Sequence, residues 1–139
     1  MDNMNPGYQQ PPFPGANTPN DQTNQFDPRD IEQNKVMAIL AYFGILVLVP
    51  IFAAKESKFA RYHANQGLIL FIASIVLWIA VSILSYVILA ISWKLSFIAS
   101  LLSLALWVGI LVLSIMGIIN AANGKAKELP VIGKFQLLK

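Results

Sequence analysis

The chain has 139 residues, of which 56% are hydrophobic and 12% are charged, with a formal net charge of +3 and no cysteine. This composition and a mean hydropathy of +0.60 fall outside the range of soluble globular domains and indicate an integral membrane protein. The small net charge argues against a nucleic-acid partner, and the lack of cysteine excludes disulfides, thiolate metal sites and cysteine nucleophiles.

The chain begins with a polar tail rich in proline, glutamine and asparagine that shows no apolar periodicity. Such a segment cannot bury enough apolar surface to offset its ordering entropy, so the sequence predicts disorder over residues 1–26. Asp27 and Pro28 suit the cap and the first position of a helix. We expect a transmembrane helical domain over 27–124, and then a basic and apolar segment at 125–139 lying on the membrane surface.

Three apolar stretches follow the tail, at residues 36–54, 68–92 and 95–120. The shortest has about 19 residues without a charge, which at 1.5 Å per residue spans a hydrocarbon core of about 30 Å. The sequence therefore predicts an all-α membrane protein with three transmembrane helices. One alternative stays open, in which a bend at Gly44 or Pro50 makes the first stretch a re-entrant hairpin. All three polar parts of the chain would then lie on one side of the membrane.

Three spans would place the tail on one side and the 55–67 loop with the C-terminus on the other. Seven of the ten Lys and Arg residues fall on this second side. The positive-inside rule then predicts that the loop and the C-terminus are cytoplasmic and that the tail is outside. The basic residues that we expect to set the orientation and to contact anionic lipid head groups are Lys55, Lys58, Arg61, Lys125 and Lys127.

Small and hydroxyl-bearing residues recur along the second and third stretches at alternating spacings of four and three. This spacing aligns them on one face of each helix, and small residues let helices approach closely in lipid. We expect these faces to pack together, and the alternative is a polar cleft or conduit lined by the serines. The residues of this predicted seam include Ser74, Ser85, Ser100, Ser103, Ser114 and Gly117.

The 55–67 loop contains the only histidine of the chain, His63. If the second helix begins near Ser57, His63 and Gly67 fall on the same face as the serines. Amide side chains at the point where a helix enters lipid need partners, so we expect Asn65 and Gln66 to bond neighbouring backbone or the ends of other helices. Together these four residues, 63 and 65–67, form a candidate partner-binding or packing site.

No arrangement of residues typical of an enzyme occurs in the chain. All acidic residues except Glu56 and Glu128 lie in the N-terminal 32 residues, so no paired carboxylates lie within the membrane, and one histidine cannot form a histidine-rich metal site. The HExxH and GxSxG motifs and phosphate-binding glycine loops are also missing. We therefore expect no enzymatic activity, no metal and no cofactor.

Three strings of the sequence, at residues 53–67, 117–125 and 129–134, resemble a widespread family of small bacterial membrane proteins of unknown function. That family is distantly similar to the twenty-kilodalton subunit of the chloroplast Tic translocon. The resemblance covers about residues 30–139. It implies a multi-pass protein of the bacterial plasma membrane, without known enzymatic activity and with a link to protein translocation.

From these observations we expect a scaffold or accessory subunit of a membrane assembly, which binds other membrane proteins or further copies of itself. The alternative is a small homo-oligomeric channel or permease that uses the serine-lined helix faces.

Overall fold

The computed structural model describes residues 20–138, which form helices and connecting turns without a β-strand. This agrees with the predicted all-α class. The four α-helices are α1 (Pro28–Leu40), α2 (Leu48–Ala53), α3 (Lys58–Ile91) and α4 (Ser96–Ala122), and short 3-10 helices occur at Thr23–Gln25, Gly44–Val47 and Trp93–Leu95.

The two long helices, α3 and α4, form an antiparallel pair joined by the short connection at residues 92–95. Their 34 and 27 residues correspond to lengths of about 51 and 40 Å at 1.5 Å per residue. Both are long and apolar enough to cross a membrane. They contain most of the predicted stretches 68–92 and 95–120. The hydroxyl of Ser57 caps α3 by accepting a hydrogen bond from the Ala60 amide, so this helix begins ten residues before its apolar part.

The first predicted span is not a continuous helix. α1 ends at Leu40, where a tight turn begins, and Gly44 then adopts a φ of +58°, a left-handed conformation that glycine reaches without steric cost. α2 has six residues, or about 9 Å, which cannot cross a bilayer. Within residues 20–138, only α3 and α4 have the length to span. The prediction of a transmembrane helix at 36–54 is therefore not confirmed, and the chain bends at Gly44, one of the two positions at which the sequence left a hairpin open.

The turn at residues 41–43 inserts between α3 and α4 at two glycines. A Cβ atom at Gly67 would lie 1.9 Å from the carbonyl oxygen of Ala41, and one at Gly117 would lie 2.3 Å from the ring of Tyr42. Both distances are far shorter than any real contact, so only glycine allows this approach. The hairpin formed by α1, the turn and α2 is thereby anchored on both long helices.

Nearly all of the buried residues lie at one end of the helix pair. On α3 they extend from Phe59 to Leu70, and on α4 the buried Gly117 and Ala121 lie near its C-terminus. We call this part of the molecule the polar end. It comprises the hairpin, the first turns of α3, the last turns of α4 and the segments 20–26, 54–57 and 125–138. Eight of the nine basic residues that the structure describes belong to it, whereas Lys94 lies in the opposite turn.

The two ends of the described chain lie together at the polar end. Asp21 forms an isolated antiparallel bridge with Lys127, and the Gln22 amide donates to the carbonyl of Ala126 over 2.9 Å. The predicted tail at 1–26 lies mostly outside the described residues, but residues 20–26 contact the rest of the protein. The expectation that the tail and the C-terminus face opposite sides of the membrane is therefore not confirmed, because the two long helices bring residues 125–138 back beside residues 20–26.

Candidate functional site

The polar end contains a cluster of buried polar side chains at the start of α3. His63 is completely buried. Its Nδ1 lies 2.8 Å from the hydroxyl of Tyr42 and its Nε2 lies 3.1 Å from the carbonyl oxygen of Lys125. Since a carbonyl can only accept, Nε2 carries the proton and Nδ1 accepts from the tyrosine hydroxyl. The neutral ring thus links the turn of the hairpin to the segment that follows α4.

The next polar residue of the cluster, Asn65, binds the last described residues of the chain. Its Nδ2 donates to the carbonyl of Phe135 over 2.8 Å, and its Oδ1 accepts from the amides of Leu137 and Leu138 over 2.6 and 2.9 Å. Three hydrogen bonds from one buried amide therefore hold the C-terminal backbone against α3. This use of both the oxygen and the nitrogen meets the requirement that buried polar groups be paired.

Gln66 makes the corresponding contacts nearer to α4. Its Nε2 donates to the carbonyl of Lys127 over 3.2 Å and its Oε1 accepts from the amide of Leu129 over 3.0 Å. We call His63, Asn65 and Gln66 the polar clamp, because all three bind backbone atoms of the 125–138 segment. Ala126 and Leu129 of this segment are buried, so apolar burial accompanies the hydrogen bonds.

The other side of the C-terminal segment binds residues 20–23. The Glu128 amide donates to the carbonyl of Asn20, and the Ala126 amide donates to the Thr23 hydroxyl, each over 2.9 Å. The Gln22 side chain donates to the Glu128 carboxylate over 2.9 Å. The C-terminal segment is therefore enclosed between α3 and the end of the N-terminal tail. A chain segment bonded on both sides has few backbone groups left for other partners.

A carboxylate from α1 helps to position the start of α3. The Oδ2 of Asp30 accepts from the Phe59 amide over 3.0 Å, at a helix end where negative charge is favourable. The Phe59 ring is fully buried and makes edge contacts with Phe26 and His63, with ring centroids 6.0 and 4.8 Å apart. These contacts join α1, α3 and residues 20–26 around the polar clamp.

The structure brings the predicted residues His63, Asn65, Gln66 and Gly67 together at this site. Sequence reasoning placed Phe59 beside His63 but missed Tyr42 and Asp30, which complete the site. The available signal was a tyrosine within an apolar stretch, because a hydroxyl in such a setting needs a partner. The predicted orientation residues Lys55 and Lys58 are exposed at the polar end, while Arg61, Lys125 and Lys127 are half-buried there.

Four of the seam serines form hydrogen bonds within their own helices. The hydroxyls of Ser74 and Ser85 donate over 2.7 Å to carbonyls of their own helix, and those of Ser100 and Ser103 do so over 3.0 Å. These four hydroxyls are thus used within α3 and α4 rather than between them. Ser114 and Ser74 line a largely apolar groove of about 610 Å³ between the two helices, with Trp78 and Trp107. Gly117 contacts the hairpin through Tyr42.

Two long apolar helices with a hydrogen-bonded polar end define a small helical membrane protein. Comparison with known proteins agrees. Residues 33–136 match the MamF/MmsF family, described as the magnetosome magnetite crystal formation protein family, and the chain belongs to this family. The match covers both long helices and the polar clamp.

Individual relatives include proteins from bacteria and from an archaeon. The chain is 31% identical to the magnetosome protein MamF of Paramagnetospirillum magneticum over 103 residues, covering 74% of this chain and 82% of that protein. It is 29% identical to MmsF of the same organism over 97 residues, with 70% and 79% covered. It is also 32% identical to a UPF0132 membrane protein of Methanocaldococcus jannaschii over 104 residues, with 74% and 84% covered.

No solved structure matches the chain significantly. The relatives support the expected family of small membrane proteins, whereas the further similarity to the Tic translocon subunit finds no support among these comparisons.

Proposed function

We propose that this protein is a non-enzymatic scaffold or accessory subunit of a membrane assembly, and that it acts by binding. α3 and α4 cross the plasma membrane, and the polar end, with both ends of the described chain, lies on its cytoplasmic side. The lipid bilayer with its anionic head groups, other membrane proteins and further copies of the chain are its partners. This topology differs from the three-span expectation in placing the N-terminal tail on the cytoplasmic side.

The observation that carries the proposal is the use of the polar clamp. Both ring nitrogens of His63 and both ends of the Asn65 and Gln66 amides are engaged by tyrosine or backbone groups of the same chain. Polar groups satisfied in this way organise a structure rather than bind and convert a substrate. The clamp therefore supports a structural role in which the folded polar end itself is the surface offered to partners.

The distribution of charge supports the orientation. Eight described basic residues belong to the polar end and one lies in the opposite turn. Such an asymmetry favours retention of the basic end in the cytoplasm, and basic residues beside a bilayer attract anionic head groups by about 1 kcal/mol each. Lys55 and Lys58 are the exposed members nearest to the start of α3.

The family description directs the proposal toward a particular kind of assembly. In a host that forms magnetite, we place the protein in the membrane at which the crystal forms. The turn at 92–95 faces away from the cytoplasm in this topology, and it carries Lys94 and no carboxylate. Because iron ions are bound in proteins mainly by carboxylate and imidazole ligands, a turn with neither is poorly suited to bind mineral. The proposed contribution is therefore to the organisation of the membrane.

The sequence left two other functions open, a channel or permease and a link to protein translocation. A channel or permease would use the serine-lined faces, but four of those serine hydroxyls are occupied by carbonyls of their own helices. A link to protein translocation stays a prediction, since the relatives named above carry magnetosome or membrane-protein names only.

Single-cysteine variants test the proposal cleanly because the chain has no cysteine of its own. Asn24→Cys and Gln136→Cys mark the two ends of the described chain, and Lys94→Cys marks the opposite turn. In sealed membrane vesicles, a membrane-impermeant maleimide should label the first two from the cytoplasmic face only and the third from the other face only. Labelling of Asn24→Cys and Lys94→Cys from the same side would contradict the topology.

The same variants test binding. A short cysteine-reactive crosslinker applied to native membranes should trap a discrete complex through Gln136→Cys and not through Lys94→Cys. The complex should be lost when Asn65→Leu releases the C-terminal segment, while the variant remains in the membrane. A Gln136→Cys protein that stays uncrosslinked, or one whose complex survives Asn65→Leu, would contradict a scaffold role for the polar end.

A further inference from the structure

The outer face of the hairpin is covered with apolar side chains that no other part of the described chain buries. They come from the end of α1, the 3-10 turn and α2. Exposed members are Val36, Phe43, Ile45, Leu46, Leu48 and Phe52. In contrast, Val47 and Pro50 of the same hairpin are fully buried against the protein. One face of the hairpin therefore packs on the protein, and the other face is free to contact lipid.

The depth of the hairpin can be read from its contacts with the long helices. Ala41 meets Gly67, nine residues from the start of α3, and Tyr42 meets Gly117, five residues from the end of α4. At 1.5 Å per residue these positions lie about 14 and 8 Å from the helix ends. Since α3 is about 51 Å long and a bilayer with its head groups is about 40 to 45 Å thick, the hairpin reaches only one leaflet.

The opposite leaflet is crossed differently. There the chain passes directly from α3 to α4 through residues 92–95, and no further described segment lies beside the two helices. Each helix is about 10 Å across, so two helices cross the far leaflet while the hairpin adds two more helical segments near the polar end. The cross-section of the protein is therefore about twice as large in one leaflet as in the other.

We propose that the hairpin is a wedge in the leaflet at the polar end, and that the protein accordingly prefers membranes in which this leaflet is convex. A convex leaflet has more area at the head-group level, so it accommodates an inserted amphipathic segment at lower cost than a flat one. The proposal rests on the two-span topology given above, and it adds a preference for membrane shape that scaffolding alone does not require.

The charged rim beside the apolar face identifies its occupant as lipid. A polar groove of about 860 Å³ between the start of α1 and residues 52–58 has the exposed ring of Phe52 at its edge, and its charged lining residues are Arg29, Lys55, Lys58, Asp27, Asp30 and Glu56. Charged groups of both signs placed directly beside exposed apolar side chains fit a lipid surface, in which charged head groups lie next to the acyl boundary. The Asp30 carboxylate in the same groove is already bonded by Phe59 and Asn34.

The experiment uses the full chain with a dye on Gln136→Cys, reconstituted into vesicles of phosphatidylglycerol and phosphatidylethanolamine of mixed diameter. An impermeant quencher separates molecules with the polar end outside from those with it inside, vesicle by vesicle. The outer leaflet is convex, so the ratio of outward to inward molecules should rise about twofold or more as the diameter falls from about 400 to about 50 nm. An outward fraction that does not depend on diameter would overturn the proposal.

Matched variants test whether the hairpin is responsible. Ile45→Ala with Phe52→Ala removes bulk from the hairpin, where these residues are 65% and 67% exposed, and Ile91→Ala with Phe97→Ala removes the same bulk near the opposite turn, where they are 72% and 67% exposed. The first pair should weaken the dependence on diameter and the second should preserve or strengthen it. Equal weakening by both pairs would overturn the wedge.

Labelling also separates a failure of this proposal from a failure of the topology. If Asn24→Cys and Gln136→Cys are protected on opposite faces of these vesicles, the two-span arrangement itself is wrong and the wedge falls with it. If both are labelled on one face and the orientation does not depend on diameter, only the wedge is wrong.

Discussion

Between Phe59 and Leu70, α3 buries nine residues, whereas from Phe71 to its end at Ile91 the same helix buries none. The first part is covered by the hairpin and by the C-terminal segment, and its polar side chains bond defined partners. The second part presents most of its side chains outward and contacts mainly α4. A single helix therefore serves two environments, one built like the interior of a globular protein and the other suited to lipid.

This contrast shows where structural specificity is concentrated in the molecule. In lipid, apolar side chains gain little by associating with one another, so close contacts and hydrogen bonds decide which segments bind. The polar end supplies both, through glycines that admit the hairpin and through the polar clamp. The membrane half supplies length and hydropathy, and many of its side chains should tolerate exchange.

The largest expected effect comes from adding one methyl group at the hairpin contact. Gly67→Ala would place a Cβ 1.9 Å from the carbonyl oxygen of Ala41, and neither helix backbone nor turn can move aside without separating the two. We expect a loss of about 3 kcal/mol or more in the free energy of unfolding, measured in detergent by denaturant titration.

Gly109→Ala is the matched control, because a Cβ at this glycine of α4 meets nothing within 4 Å. The higher helix propensity of alanine should leave stability unchanged or raise it by up to about 1 kcal/mol. If the two alanine variants were equally stable, the contrast between the polar end and the membrane half would be refuted.

A smaller effect is expected when a hydroxyl is removed from the cluster. Tyr42→Phe keeps the ring in place against Gly117 but leaves Nδ1 of His63 without its donor. Loss of a partner from a buried acceptor should reduce stability by about 1 to 2 kcal/mol. The control is Tyr86→Phe, which removes a hydroxyl from an exposed tyrosine of α3 and should change the melting temperature little. A Tyr42→Phe protein with the same melting temperature as the wild type would show that this hydrogen bond contributes nothing to stability.

The smallest effect is expected from the seam. Ser100→Ala combined with Ser103→Ala removes two hydroxyls that bond their own helix, and such bonds add little to helix stability. We expect the free energy of unfolding to change by less than about 0.5 kcal/mol. Liposomes that contain either protein should remain impermeable to ions. Ion flux through the wild type that the double variant abolishes would instead support the channel alternative.

Several local features were predictable because their causes are local. The caps at Asp27 and Ser57 and the left-handed Gly124 follow from side-chain hydrogen bonding and from the freedom of glycine, and the structure contains all three. The long helices followed from the length of the apolar stretches. Tyr42 was not identified as part of the site because its partner, His63, is 21 residues away and no sequence periodicity connects them.

The sequence by itself determined that this is an all-helical membrane protein, which residues form its two longest helices, and that the polar residues near the start of α3 would need partners. Hydropathy and helix length carry that information along the chain. Only the tertiary structure decided that the chain turns back after Leu40, and that the clamp binds the C-terminal segment. An apolar stretch of about 19 residues satisfies the length requirement of a span, so hydropathy alone does not reveal the turn. The physical reason for the turn is steric, because the close approach of Ala41 to Gly67 appears only when the helices are assembled.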